Sequence, residues 1–279
     1  MSGYIIANGD LVQESDIHAS YFGRAVKYGD GFFETIYLHE TKLLYFHLHF
    51  ERLSKTARLL QFSLPDSWNI EFFEKQIRKL ASANKIKSGR VNIVFSRDVE
   101  GKYYPNGKGF YYFMKIESKE NNGLAYNFSN EGLNLGEYRE LVKNSNFTST
   151  LKTNSALIYV LASLYSHKHK FDECLIFNEF GRVAECISSN IILIKKDKLI
   201  SPPFSEYGLD GVMKKVIFQK ADAYGYETSQ YPIFAEDLFA ADEIWLSNVM
   251  NGLRWVQNYR GKSYQSSLAQ QMIALLNKV

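Results

Sequence analysis

The chain has 279 residues, of which 46% are hydrophobic and 15% aromatic, and its formal net charge is +3. This length predicts two domains, and the composition excludes a disordered protein. The basic residues are scattered among acidic ones, so neither a nucleic-acid surface nor a polybasic membrane patch is indicated. Because no stretch approaches the ~20 apolar residues of a membrane span and no signal peptide is evident, we expect a cytoplasmic protein.

The first third of the chain alternates predicted strands and helices. An Asn-Gly turn predicts a hairpin over residues 4–12. A glycine turn at 29–31 opens a strand to Tyr37, and a second strand is predicted to end at Phe46. Helical spacing of apolar residues follows at 47–62 and 72–83, and strands are predicted at 89–96 and 109–116.

Several polar residues in this part are open to more than one interpretation. Arg52 lies beside the apolar side of the 47–62 helix, where a surface arginine with a buried stem is the simplest assignment. His47 and His49 suggest a metal pair, but no third ligand follows at a suitable spacing, so we reject a metal site. The loop at 97–105 carries two basic residues and two tyrosines, which is typical of a solvated loop.

A polar stretch near the middle of the chain predicts the domain boundary. Residues 117–130 contain Asn-Asn-Gly, which places a linker at 119–123. We therefore expect an N-terminal α/β domain over 1–118 and a C-terminal domain over 124–279.

Glu185 lies in a predicted hairpin of two apolar strands, 174–177 and 182–187. Its neighbours on both faces are apolar, so the carboxylate is predicted to be buried and to need a partner. The alternative is an edge-strand glutamate that reaches solvent. Cys174 and Cys186 belong to the same strands and are predicted to be reduced core thiols.

Lys152 precedes a predicted helix over 155–168, in which Leu157, Val160, Leu161 and Leu164 recur at helical spacing. In a lysine-rich chain, a single lysine is more often a solvated surface charge than a functional amine. Further along, residues 209–213 open a helix that ends near Gly225 and whose first amides could bind an anion. Asp210 could equally be its ordinary N-cap.

Taken together, these motifs resemble those of the class IV aminotransferases, which are fold-type IV pyridoxal phosphate enzymes. The matching segments are YGDG-x-FE, His-x-x-Arg-Leu, the lysine before a helix, and V-x-E-x-x-S-S-N-I. The resemblance spans nearly the whole chain. It implies a two-domain α/β (α+β) fold with pyridoxal 5′-phosphate in the cleft between the domains, and a homodimer in which loops near Tyr21 and Tyr103 line the partner's pocket.

The resemblance also implies a role for each matching residue. Lys152 would carry the Schiff base and then act as the general base. Glu185 would pair with the protonated pyridine nitrogen, which would be the missing partner of the buried carboxylate, and Arg52 would grip the phosphate. The other cofactor contacts would be Ser188, Gly211, Val212, Met213 and Asn248. The substrate contacts would be Phe33, Arg97, Lys102 and Tyr104.

Departures from the family motifs bear on the reaction. Met213 replaces a hydroxyl in the motif L-x-G-I-T-R, so only backbone N–H groups and Arg52 would bind phosphate there. Ser247-Asn248-Val249-Met250 is closer to aminodeoxychorismate lyases than to transaminases, although Lys102 stands where those lyases commonly have arginine. The resemblance thus favours elimination of pyruvate from aminodeoxychorismate to give p-aminobenzoate.

The alternative is an amino acid transaminase of the D-amino acid or branched-chain type. Tyr37 stands where branched-chain enzymes tend to have arginine, which counts against that specificity. A binding protein that has lost turnover is a third interpretation, but the presence of both Lys152 and Glu185 argues against it.

Overall fold

The computed structural model describes residues 3–17, 23–120, 122–196 and 198–278. The chain forms two compact units. Unit 1 consists of Met1–Gly123 with Lys152–Ser155, and unit 2 of Leu124–Leu151 with Ala156–Val279. Lys152 therefore groups with unit 1, whereas the sequence analysis assigned it to the C-terminal domain. Tyr21 lies outside the described residues.

Unit 1 is built on a six-stranded antiparallel sheet in the order β2-β1-β6-β5-β3-β4. Three helices accompany it, and the side chains of α2 and α3 pack on the sheet in one apolar core. The strands are β1 Tyr4–Ala7, β2 Asp10–Gln13, β3 Gly31–His39, β4 Lys42–Leu43, β5 Gly89–Arg97 and β6 Phe110–Ser118. The helices are α1 Arg24–Tyr28, α2 Phe46–Leu59 and α3 Ile70–Ala83.

Most elements predicted for this unit are confirmed, and one is wrong. The hairpin β1–β2, the strands β3, β5 and β6, and the helices α2 and α3 lie where the periodicity places them. The strand predicted to end at Phe46 stops at Leu43. Tyr45 takes a left-handed conformation with φ 55° and Phe46 begins α2, so the chain turns directly into the helix.

Unit 2 contains a mixed nine-stranded sheet in the order β12-β11-β10-β13-β14-β7-β8-β9, with β15 paired to β14. Its helices are α4 Leu157–His169, α5 Val212–Ala223 and α6 Ser267–Leu276. The first strands are β7 Leu133–Lys143, β8 Glu173–Asn178, β9 Val183–Cys186 and β10 Asn190–Lys195. The remaining strands are β11 Lys198–Ser201, β12 Glu227–Gln230, β13 Glu243–Asn248, β14 Gly252–Tyr259 and β15 Lys262–Ser263.

The hairpin that carries Glu185 is confirmed. Glu185 pairs with Ile176 across β8 and β9, and both strands are fully buried. Cys174 and Cys186 are buried free thiols, as predicted. The N-cap of α5 is Gly211 and not Asp210, which instead forms an ion pair with Lys215 at 2.8 Å.

The apolar residues that predicted α4 are mostly exposed. Leu157, Val160 and Leu164 are 67%, 52% and 63% exposed. Ala162 of the same helix is fully buried, and Ile158 and Leu161 pack against the core cluster around it. The helical period was therefore right, but three of its four apolar positions form an exposed strip.

A search of the described ranges for membrane-spanning helices finds none that is both long and apolar enough. The same residues contain no group of three or more potential metal-ligating side chains of the His, Cys, Asp or Glu type.

Candidate active site

Lys152 is attached to the beginning of β3 through its backbone. Its carbonyl oxygen accepts a hydrogen bond from the Phe33 N–H at 2.9 Å, and Asn154 N–H donates to Gly31 O at 3.0 Å. The Lys152 ammonium lies 4.3 Å from the centroid of the Phe33 ring. A Cβ on Gly31 would lie 2.2 Å from Phe95 O, so only glycine permits this approach. The glycine motif and the lysine thus form one local structure.

Arg52 is held by Glu34. Its Nε donates to Glu34 Oε2 at 2.9 Å and its Nη2 to Oε1 at 2.5 Å, while His49 Nδ1 lies 3.1 Å from Oε1. Burial opposes ionisation of Glu34, but the charges and hydrogen bonds of Arg52 and His49 outweigh it and hold the pKa of Glu34 well below its usual range. Burial lowers the pKa of His49, Glu34 opposes this, and Arg52 and Lys152 add to the lowering.

The four expected substrate residues have different surroundings. Phe33 lies against Lys152, as described above. Arg97 is buried, donates to Asp30 and to Leu60 O, and its guanidinium stacks 4.3 Å from the Phe62 ring. Lys102 is exposed, and the Tyr104 side chain is 80% exposed. Arg97 is therefore engaged in holding unit 1 together, and the loop supplies two solvent-facing side chains.

In unit 2, Glu185 is 4% exposed and has three donors. Lys143 Nζ forms a short hydrogen bond to Oε1. The Tyr159 hydroxyl donates to Oε1 at 2.6 Å, and Leu209 N–H donates to Oε2 at 2.8 Å. The predicted burial of this carboxylate is confirmed, but a lysine of the same unit already balances its charge.

The start of α5 lies close to the residues that follow β9. A Cβ on Gly211 would lie 1.7 Å from Asn190 Oδ1, and Asn190 Nδ2 donates to Leu209 O at 2.8 Å. Within the residues that the structure describes, the Gly211 N-cap brings no side-chain hydrogen bond, so the amides of Val212 and Met213 lie at an uncapped N-terminus. The Met213 side chain is buried.

The end of β13 joins the same neighbourhood. Ser247 pairs with Asn190 across β10 and β13, and its hydroxyl is buried without a hydrogen-bond partner in the described part of the chain. Asn248 Nδ2 lies 3.4 Å from Ser188 O and 3.2 Å from Ser189 Oγ. Asn248 Oδ1 accepts from the amides of the following turn.

This donor set has the chemistry that a phosphate group requires. It combines uncapped helix amides with a buried hydroxyl that lacks a partner, and Asn190 connects the two. Glu185 is a buried acceptor of the type that a protonated ring nitrogen requires. The residues of unit 2 therefore fit a group that carries both a phosphate and a ring nitrogen.

The sequence model of the family described as Amino-transferase class IV matches residues 31–259. The chain belongs to the class IV aminotransferase family. This confirms the resemblance and the mixed α/β fold class. The class IV family is pyridoxal phosphate-dependent, so the expectations of an enzyme and of this cofactor are confirmed as well.

Relatives of this class IV protein include both a lyase and aminotransferases. An aminodeoxychorismate lyase of Vibrio harveyi is 25% identical over 238 residues, which cover 85% of each chain. A D-alanine aminotransferase of Listeria monocytogenes is 22% identical over 260 residues, which cover 88% of this chain and 83% of the relative. The family is therefore shown, and the two names leave the specific reaction open.

Solved structures show the same fold. The Escherichia coli branched-chain amino acid aminotransferase superimposes with a TM-score of 0.87 at 19% identity, covering 98% of this chain and 92% of the other. A hypothetical aminotransferase from Mycobacterium tuberculosis in its PLP-bound form gives 0.84 at 19% identity, covering 98% and 97%.

The sequence analysis missed several residues of this site. Lys143 and Tyr159 contact Glu185 and belong to no motif that was used. Asn190 is the asparagine of V-x-E-x-x-S-S-N-I, but no role was assigned to it. A buried carboxylate signals a nearby cation, but the ring nitrogen had been assigned that role, so no cation was sought in the chain. Lys143 also lies 42 positions from Glu185, and no local pattern connects the two.

Proposed function

We propose that the chain binds pyridoxal phosphate through Lys152 and Glu185 and breaks a bond next to the amino-bearing carbon of a small substrate. When bound, the cofactor supplies the electron sink that stabilises negative charge at that carbon. The Lys152 amine holds the cofactor and, once substrate has displaced it, moves a proton as the general base. Glu185 provides the carboxylate that pairs with the ring nitrogen.

Lys143 contacts Glu185, and geometry argues against it as the cofactor lysine. The aldehyde carbon and the ring nitrogen lie at opposite ends of the pyridine ring. A lysine whose ammonium touches Glu185 cannot hold the aldehyde while Glu185 pairs with the nitrogen. Lys152, which is tied to β3 and packs on Phe33, is free of that conflict.

For the phosphate we propose the amides of Val212 and Met213 together with Gly211, Ser188 and Asn248. The buried Ser247 hydroxyl is a further donor that the sequence analysis did not include. We include Arg52 among the proposed phosphate contacts because of its positive charge. Because its fork also binds Glu34, replacing Glu34 would disturb Arg52 as well.

The specific reaction that we propose is the elimination of pyruvate from aminodeoxychorismate, which leaves p-aminobenzoate. The observation that supports it is the Asn248 turn. The Asn248 amide stabilises the turn internally by accepting from Met250 and Asn251 N–H, where a transaminase motif would present hydroxyls. The lyase among the relatives points the same way.

A transaminase is the second candidate because D-alanine aminotransferases are among the relatives. One experiment separates the two. Purified protein loaded with pyridoxal phosphate is incubated with aminodeoxychorismate, and separately with D-alanine or branched-chain amino acids plus ketoglutarate. We expect pyruvate and p-aminobenzoate in the first incubation. Glutamate in the second, without pyruvate in the first, would replace the lyase by the transaminase.

We also propose a homodimer. The exposed strip of Leu157, Val160 and Leu164 on α4 is the kind of apolar surface that a second copy would cover. Light scattering of Leu164→Lys should show a monomer where the wild type is a dimer. Leu124→Lys, which alters a 51% exposed leucine outside α4, should leave the dimer intact.

A further inference from the structure

The contact between Lys143 and Glu185 is part of a closed cluster. Both side chains are 5% exposed. Lys143 Nζ donates to Glu185 Oε1 and also to the Tyr159 hydroxyl, at 2.8 Å. The hydroxyl donates to the same oxygen at 2.6 Å. Two residues, one from β7 and one from α4, therefore converge on one carboxylate oxygen of β9.

The Glu185 carboxylate can accept a hydrogen bond from one further donor. An ionised carboxylate offers about four acceptor positions. Lys143, Tyr159 and Leu209 fill three of them at Glu185. About one position remains, which matches a ligand that brings a single N–H donor.

Nearby cations determine whether such a ligand would meet Glu185 in its ionised or its protonated form. A buried carboxyl group without a cation favours its protonated form, because burial penalises the charge. Lys143 supplies the cation by direct contact. Lys214 on α5 also interacts electrostatically with Glu185, but its interaction with Asp210 is the larger one.

Two other titratable groups interact with Glu185, one across from it and one next to it on β9. Burial, followed by the charge and hydrogen bond of Glu185, raises the pKa of Tyr159, so its hydroxyl stays protonated and donates. Burial, together with nearby carboxylates, raises the pKa of Cys186 on the same strand, so that thiol stays neutral. Lys143 is thus the charged group that contacts Glu185.

We propose that Lys143 is a positioning residue for the ring nitrogen of the cofactor. It keeps Glu185 ionised and oriented before the cofactor binds, so that the nitrogen meets an anion and not a protonated acid. This inference rests on the proposed role of Glu185. The proposal also predicts where the proton on the ring nitrogen would come from. In the wild type it would come from solution, because Glu185 is ionised. Without Lys143 it would come from Glu185, which would already be protonated.

The first test uses the cofactor-free protein. Thermal unfolding of wild type, Lys143→Met, Lys143→Arg and Lys214→Met is followed from pH 5 to 8. Folded Lys143→Met retains a proton on Glu185 that the unfolded chain has lost, so its stability relative to wild type falls as the pH rises. One retained proton can lower the folding equilibrium constant by at most about tenfold per pH unit. Lys143→Arg should follow wild type, and Lys214→Met should show a smaller slope.

The double variant Lys143→Met/Glu185→Gln makes this test specific. It lacks the titrating acid, so its stability relative to wild type should not fall with pH in the way expected for Lys143→Met. Equal slopes in the single and double variants would overturn the proposal, because some other group would then be titrating.

The second test counts protons when pyridoxal phosphate binds. Calorimetry in buffers of different ionisation enthalpy gives the number of protons taken up. We expect about one proton fewer for Lys143→Met than for wild type, since Glu185 supplies it, and no change for Lys143→Arg. Equal uptake in wild type and Lys143→Met would reduce Lys143 to a purely structural role. A wild type that binds no pyridoxal phosphate would overturn the proposed function, while the first test would still report on the ion pair.

Discussion

Two of the buried carboxylates, one in each unit, are neutralised by different cations. Glu34 of unit 1 is held by the Arg52 fork on both oxygens and by His49. Glu185 of unit 2 is held on one oxygen by Lys143 and Tyr159, and on the other by a backbone amide.

The difference lies in what each cation can do. Arginine is always charged and its fork fills a carboxylate from both sides, so the Glu34 pair is fixed. Lysine is a point charge that binds one oxygen of Glu185, so an acceptor position of this carboxylate stays open to a ligand. We infer that Glu34 serves to hold Arg52 in place, whereas Glu185 is arranged to accept one further donor.

The largest effect is expected from Glu34→Gln, which leaves the Arg52 charge without its carboxylate. We expect a loss of about 3–5 kcal/mol in the free energy of unfolding. The loss should be the same at pH 7.5 and 9.5, because Arg52 cannot neutralise itself. Urea unfolding of the cofactor-free protein at the two pH values measures it.

The matched control is Glu74→Gln, which removes an exposed pair with Arg78 four residues away on α3. That change should cost about 0.5 kcal/mol or less.

Unfolding at acidic pH is a further test of the role of Glu34. The folded-state pKa of Glu34 is lowered, so its contribution is present above the unfolded pKa and is lost as the pH falls below about 4. A wild type and a Glu34→Gln variant with parallel acid unfolding curves would contradict this assignment.

Glu185→Gln should have a smaller effect, and one that depends on pH. At pH 7.5 the cofactor-free variant should lose about 2–4 kcal/mol, because Lys143 stays buried without its carboxylate. Between pH 7.5 and 9.5 the loss should shrink by about 1–3 kcal/mol as folded Lys143 gives up a proton that the unfolded chain retains. A deficit as flat as that of Glu34→Gln would erase the distinction between the two carboxylates.

The smallest effect is expected from Tyr159→Phe. It removes one hydrogen bond to Glu185 and one to Lys143 but leaves both charges in contact. A cost of about 1–3 kcal/mol follows for hydrogen bonds to charged groups. Tyr165→Phe, on the same helix but packed against the Tyr138 and His169 rings, should cost less than half as much. Equal costs would mean that the Tyr159 hydroxyl contributes nothing specific.

How far the sequence predicts the fold depends on whether the information is local. The hairpin around Glu185 was predictable, because two apolar strands flank a four-residue turn. The helix α2 was predictable from its apolar spacing. Strand β7 was not predicted, since residues 139–142 are all exposed and show no alternation. The end of the strand predicted before α2 was wrong because a single left-handed residue, Tyr45, decides it.

The residues of the candidate site also differ in whether local sequence information identifies them. Lys152 and Glu185 stand in motifs, so they could be named from the sequence, and their roles remain proposals. Asn190 also stands in a motif, but only the fold brings it to the start of α5. Lys143 stands in no motif and reaches Glu185 from 42 positions away, again only through the fold. The sequence argument that Glu185 lacked a partner failed for this reason.

The most direct measurement of the central claim identifies the lysine that holds the cofactor. The protein is loaded with pyridoxal phosphate, reduced with borohydride to fix the cofactor covalently, digested, and analysed by mass spectrometry. The account predicts the added mass on the peptide that contains Lys152, and none on the peptide that contains Lys143. Modification of Lys143, or of neither lysine, would contradict it.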